Sequence, residues 1–346
     1  MTVEVDAPDV ASQVGHYYRV AGSYRVEREK VREYARAVQD WHPAHWDEDA
    51  AAAHGYDGLV APLTFVSIPA MAANRSLFEN VVVGYDMFVQ TEQVFEQHRP
   101  IVAGNRLSTD VELSAVRRIA GKDLITVTNT FTDEAGEVVH VMHTTVVGVS
   151  GDEVDPGITD AVENLMVHDV KMLGRHRTAA QAPSGEQPRR PEGELPLSAR
   201  GATRTPHTVS FDDLAVGAEL PIRDARLTRG DLVNYAGVSG DSNPIHWDER
   251  VARLAGLPDV IAHGMLTMGL GAGFVSAWSG DPGAVTRYRV RLSNTAIVSA
   301  REGGQIEYSG RVKSLDPGDR SGVVALVAKS GGRKIFGLAT ADIRFR

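Results

Sequence analysis

The stretch YAGVSGDSNPIHWD (residues 235–248) has a counterpart earlier in the chain, YARAVQDWHPAHWD (residues 34–47). The offset is 235 − 34 = 201, and it holds for Asp40 and Asp241, Pro43 and Pro244, His45 and His246, and Trp46 and Trp247. Gly55 and Gly256 keep the same spacing. An Asp-x-x-Pro-x-His-Trp-Asp string does not recur by chance, so the chain reads as a duplicated fold.

Working outward, each half has a turn-rich entry and a short helix before the string, over Arg28–Val38 and Arg229–Val238. After the string in the second half comes AHGMLTMGLGAGFVSAW (residues 262–278), apolar nearly all round, a pattern that demands burial on most sides. Strands are expected at Val285–Leu292, Gln305–Val312 and Gly332–Arg346. In the first half they are expected at Asn105–Val116, Leu124–Phe131 and Glu137–Val147. A buried helix followed by antiparallel strands implies an α+β fold, a sheet wrapped around its helix. This is the hotdog architecture, here present twice.

The halves meet in GRHRTAAQAPSGEQPRRPEGELPLSARGATRTP (residues 174–206), which has almost no large apolar residue. Such a segment buries too little surface to offset its ordering entropy, and reads as a flexible linker over 174–205; an ordered surface loop is the alternative. The expected organisation is residues 1–173, the linker, and residues 206–346.

The sequence has 346 residues, a formal net charge of −9 and 42% hydrophobic residues, enough for two cores. The acidic balance argues against nucleic acid as partner. There is no cysteine, which removes disulfides, thiolate metal sites and cysteine nucleophiles. No apolar run reaches membrane-span length, and the acidic start lacks the order of a signal peptide, so a cytoplasmic location is expected. No HExxH, P-loop or GxGxxG motif is encoded, so no cofactor and no metal are expected.

Chemistry is expected at two elements. In Asp241–His246, Pro244 fixes its own φ and biases Asn243 to extended geometry, while Asp and Asn favour a tight turn. Such a turn can hold a carboxylate and an imidazole together, or the polar residues can serve only as caps. In Ala262-His263-Gly264, a helix start offers unpaired N–H groups, and Gly264 lets a ligand approach without a Cβ. That suits polarising a carbonyl. The bland readings are helix clearance for Gly264 and a satisfied core histidine for His263.

The C-terminal half resembles the MaoC-type (R)-specific hydratase/dehydratase family, whose motif is Asp-x-Asn-Pro-x-His followed by a His-Gly helix start. It is closer still to the HadB-type subunit of (3R)-hydroxyacyl-ACP dehydratases of mycolic-acid fatty acid synthesis, through residues 235–248, IAHGMLTMG (261–269), GDPGAVTRYRVR (280–291), GRVKSLDP (310–317) and KIFG (334–337). The N-terminal half resembles the HadA-type partner in VGHYYRV (14–20), VEREKVREYARAVQ (26–39), LVAPLTFV (59–66) and PIVAG (100–104).

The resemblance implies a fused double-hotdog dehydratase of (3R)-hydroxyacyl thioesters, an internal pseudo-dimer that could pair further into a homodimer, acting on acyl-ACP or acyl-CoA, with acyl carrier protein as partner. It implies His246 as the base at C2, Asp241 at the 3-hydroxyl, the Gly264 amide at the thioester oxygen, and Asn243 and His263 beside them. The N-terminal half keeps Asp40 and His45, but His42 replaces Asn243, and Pro62 and Leu63 replace His263 and Gly264. Pro62 has no N–H and Leu63 is bulky, so this half is expected to be weak or dead. It would instead hold the acyl chain through residues such as Leu63, Phe65 and Val66, which could equally be plain core.

Arg287, Arg289 and Arg291 alternate along one strand and could meet an acidic carrier or CoA phosphate, a solvated face being the simpler reading. Rival functions are an enoyl-CoA hydratase working in degradation and a non-catalytic acyl-binding protein. A hotdog thioesterase would want a carboxylate on the helix, and residues 262–278 contain none.

Overall fold

The structure is a computed structural model describing residues 10–85, 87–149, 156–163, 165, 190, 192–197 and 209–345. The first half runs β1 (Tyr17–Arg19), β2 (Tyr24–Arg25), α1 (Arg28–Ala37), α2 (Glu48–Ala53), α3 (Ser67–Asn80), β3 (Met87–Gln97), β4 (Arg106–Ile119), β5 (Lys122–Thr132), β6 (Val138–Val149) and α4 (Pro156–Glu163). The second runs β7 (Glu219–Leu227), α5 (Arg229–Ser239), α6 (Glu249–Leu254), α7 (Gly264–Ser279), β8 (Val285–Leu292), β9 (Gly304–Asp316), β10 (Ser321–Ser330), β11 (Arg333–Lys334) and β12 (Phe336–Arg344).

The motif builds its own helices. Thr228 and Asp231 form a reciprocal capping box that starts α5, which stops at Gly240 with φ 82°. The closing Asp of each string is an N-cap: Asp47 accepts from the Ala50 N–H for α2, and Asp248 from the Val251 N–H for α6. Helix α7 is buried along almost its whole length, as its all-round apolarity requires.

The strands join into one antiparallel sheet in the order β1-β4-β5-β6-β3-β8-β12-β10-β9-β7. The two halves therefore meet strand to strand, β3 against β8, with Phe95 opposite Tyr288 and their rings stacked 6.3 Å apart. On the same two strands Arg289 pairs with Glu92 at 2.5 Å, Arg291 with Glu92 at 3.2 Å and Arg287 with Glu96 at 3.4 Å. The alternating arginines thus stay partly solvated while their ion pairs tie the two halves together.

Behind the sheet, α1 packs on α5, and the repeat-related rings of Tyr34 and Tyr235 lie 6.2 Å apart beside the pseudo-twofold. The fold is α+β with two hotdog domains.

Two local expectations need correction. The last segment is not one strand, because Ile335 turns inward to be buried and separates β11 from β12. In the first half the helix does not start at residue 61 or 63: Leu63–Val66 is a 3-10 turn, and α3 follows from Ser67. Within 174–205, the described residues touch the N-terminal half: the Val138 N–H donates to the Pro196 carbonyl at 2.7 Å, and Arg190 pairs with Glu112 at 3.3 Å. The remainder of that linker lies outside the described residues.

Candidate active site

The Asp241–His246 segment is held by short-range bonds that follow from its sequence. Asn243 Oδ1 caps the 3-10 turn Pro244–His246 by accepting from the Ile245 N–H at 3.2 Å. The indole of Trp247 donates to the Ser242 carbonyl at 3.1 Å. Asp241 Oδ1 accepts only a long 3.4 Å bond from the Asn243 N–H, which leaves most of the carboxylate uncommitted. Asn243 thus spends its carbonyl oxygen on the turn, and only its amide nitrogen is left for anything else.

The His246 ring is buried, and its Nδ1 lies 2.8 Å from the Ile261 carbonyl. A carbonyl can only accept, so Nδ1 carries the hydrogen and Nε2 presents a bare lone pair. Burial lowers the His246 pKa, opposed by the nearby Asp241 charge and the Ile261 carbonyl, so the ring is neutral at pH 7. Donor atoms of Asp241, His246 and His263 lie within 4.8 Å of one another. Asp241 and His246 are not closed into a direct ion pair, and the gap between them is of the size that a hydroxyl or water bridges.

His263 is fully buried and stacks on His246, ring centroids 3.8 Å apart. Its Nε2 donates to the Asp241 carbonyl at 3.1 Å, tying the helix start to the turn. Burial, then the neighbouring His246, push its pKa down to about 2, so it stays neutral.

Helix α7 begins immediately after His263 with no side-chain cap. The Gly264 N–H has no hydrogen-bond partner among the described residues, and it sits at the positive end of the helix. A Cβ built on Gly264 would stand 2.9 Å from Leu292 Cδ1 and 3.1 Å from Gln90 Oε1, so only glycine fits this mouth without displacement. Asp241, His246, His263 and Gly264 are therefore brought together.

Leu63, Phe65 and Val66 lie on a 3-10 turn that packs against α7. All three are buried in the main core, where Phe65 meets Tyr24 and Tyr34 edge to face. The repeat-related pair Asp40 and His45 copies the local anchoring, His45 Nδ1 donating to the Val60 carbonyl at 2.5 Å. Here, however, the pair is closed and sealed. His45 Nε2 lies 3.2 Å from Asp40 Oδ2, and the two residues are 1% and 3% exposed. Helix α7 lies over them: a Cβ on Gly273 would meet Asp40 Oδ2 at 3.0 Å, and one on Gly269 would meet Val38 Cγ1 at 2.6 Å.

Two participants were not legible in the motif. Leu292 and Gln90 stand on β8 and β3 and reach the helix mouth only because those strands pair. A cleft of about 1020 Å³ elsewhere on the C-terminal half, lined by Arg226, Glu302, Glu307, Lys329 and Arg333 among others, contains no residue of the turn. Among the described residues no helix is long and apolar enough to cross a membrane.

Both halves of the chain resemble known proteins. A FAS1-like dehydratase domain region matches residues 12–142, and a MaoC-like domain matches residues 214–314. A UPF0336 protein of Mycolicibacterium paratuberculosis is 42% identical over 156 residues, 44% of this chain and 98% of that one. A Mycobacterium tuberculosis protein described as having a double hotdog fold superposes with a TM-score of 0.61 over 96% of both chains at 15% identity, a likeness of fold alone. A solved structure described as a MaoC-like dehydratase is 64% identical, covers 98% of this chain and 100% of its own, and superposes with a TM-score of 0.91. With an imidazole, a carboxylate and an open helix start converging in its second hotdog, the chain belongs to the MaoC-like dehydratase family and is a hydro-lyase.

Proposed function

We propose that the C-terminal half catalyses reversible loss of water from 3-hydroxyacyl thioesters, of the (3R) series that the family resemblance implies, carried on acyl carrier protein or CoA. The observation that carries this reading is the fixed tautomer of His246, whose Nδ1–H is committed to Ile261 and whose Nε2 is free beside an unpaired Asp241.

In dehydration, Nε2 of His246 takes a proton from C2. The C–H electron pair moves into an enolate whose oxygen is held by the Gly264 N–H and the α7 dipole. The enolate then re-forms the carbonyl, the C2–C3 double bond forms, and the C3–O bond breaks. The departing hydroxide, positioned by Asp241, receives the proton that His246 took from C2 and leaves as water. The products are a trans-2-enoyl thioester and one water, and both side chains are back in their starting protonation states. Hydration is the same path reversed. A neutral imidazole with pKa below its ordinary value suits the base role at neutral pH.

In this reading the N-terminal half is a scaffold. Its closed Asp40–His45 pair and the bulky Leu63 at the repeat position of Gly264 support a structural part, and the burial of Leu63, Phe65 and Val66 supports a core part. The testing experiment is hydration of trans-2-enoyl thioesters of increasing length, on CoA and on carrier protein, by the wild type and by Asp241→Asn. Turnover by the wild type and near-complete loss in the variant is expected. Equal rates would remove Asp241 from the mechanism, and no turnover on any substrate would favour an acyl-binding protein.

A further inference from the structure

Gln90 comes from the N-terminal half yet faces the helix mouth of the C-terminal half. On β3 the pairing with β6 slips between Gln90 and Glu92, a bulge at Thr91. In an unbroken strand residues 90 and 93 would face opposite sides of the sheet. One inserted residue turns both to the same side. Their side chains then meet, Gln90 Nε2 donating to Gln93 Oε1 at 2.9 Å.

Gln93 is 1% exposed and its orientation is set by its neighbours: Oε1 also accepts from Thr144 Oγ1 at 2.9 Å, and Nε2 donates to the Val94 carbonyl at 3.4 Å. Because Gln93 presents an acceptor, the Gln90 atom facing it is the nitrogen. Gln90 Oε1 is thereby turned to the other side, 3.1 Å from where a Cβ of Gly264 would stand. That oxygen has no donor among the described residues. The second N–H of Gln90 has only Met265 Sδ at 3.5 Å, a weak acceptor. A bulge, a buried glutamine and a threonine thus aim one unsatisfied amide at the place where a thioester must enter.

We propose that Gln90 is a substrate-binding residue that recognises the pantetheine-type arm of the thioester, its Oε1 accepting the N–H of the amide two methylenes beyond the sulfur. This rests on the dehydratase reading of the same site and deepens it: specificity is for amide-bearing thioesters, a feature shared by CoA and carrier-protein substrates. The half without the reacting dyad thereby supplies part of the binding site.

The test compares hydration of crotonyl-N-acetylcysteamine with that of S-pentyl crotonothioate, which carries methylenes in place of the amide. In Gln90→Met, nearly isosteric and without hydrogen-bonding atoms, KM for the amide-bearing thioester rises about three- to tenfold while kcat holds. Kinetics on the S-pentyl thioester stay at the wild-type level and report an intact fold. Unchanged KM on the first substrate, or equal losses on both, overturns the role of Gln90 while leaving the reaction standing. Failure of the wild type on both substrates overturns the reaction itself, and this role with it.

Discussion

The imidazole of His263 lies on that of His246 with ring centroids 3.8 Å and planes 27° apart. Two buried cations cannot coexist at that separation, so the pair stays neutral and Nε2 of His246 stays a base. His263→Asn is expected to lower stability, because it removes a fully buried ring and leaves a cavity, on the order of 2–5 kcal/mol by analogy with large-to-small core changes. Urea denaturation of the two proteins measures this directly.

Both rings also link stability to pH. Their pKa values are held below the 6.5 of the unfolded chain, so the unfolded state binds protons that the folded state refuses. Their contribution is complete above pH 6.5 and is lost as the pH falls below it. Denaturation midpoints between pH 7.5 and 5 should therefore fall, and fall less steeply in His263→Asn. A slope unchanged by the substitution would contradict neutral burial of His263.

Turnover should depend on one dyad only. His246→Ala and Asp241→Asn are each expected to lower kcat about 10²–10⁴-fold, the usual range for removal of a general acid–base group. The wild-type kcat/KM should decline as the pH drops through the His246 pKa, which lies below 6.5. His45→Gln is expected to keep its kcat. Comparable losses for His45 and His246 would mean two working sites.

The sealed pair should matter for stability instead. His45→Leu strands the Asp40 carboxylate in a dry pocket, at a cost of about 3–5 kcal/mol. Burial lowers the His45 pKa and Asp40 raises it, and the attraction wins, so the net shift is upward from 6.5. The His45 contribution is therefore present below pH 6.5 and fades as the pH rises through the raised value. Burial raises the pKa of Asp40 and His45 lowers it, with a net value below 3.8, so the Asp40 contribution fades in strong acid. The stability gap between wild type and His45→Leu should accordingly narrow toward alkaline pH.

Two glycines of α7 should respond differently. At Gly273 an alanine gains helix propensity of about 1 kcal/mol, yet its Cβ meets the buried Asp40 carboxylate at 3.0 Å, and overpacking typically costs about 1–3 kcal/mol. A lower Tm with little change in kcat/KM is expected. At Gly264 the Cβ meets only the ends of Leu292 and Gln90, which can move, so Tm should hold. There the methyl occupies the thioester's approach, and a fall in kcat of up to about 10²–10³ is expected if the oxygen is pushed off its donor.

Much of this protein was legible in local pattern. The duplicated string gave two domains, the all-round apolar run gave the buried helix α7, and alternation gave β8 to the residue. The turn chemistry around Pro244 placed Asp241 and His246 at one spot, because caps and proline geometry act over a few residues. The sequence alone also determined that Leu63 stands where Gly264 stands.

Only the tertiary structure decided which dyad is open, that Arg287, Arg289 and Arg291 are tied to Glu92 and Glu96, and that Gln90 faces Gly264. These depend on the pairing of β3 with β8 and on a one-residue bulge, and so on contacts between segments far apart in the chain. Periodicity reports which way a side chain faces on its own strand or helix. It carries no information about what another strand, brought alongside by packing, will set opposite it.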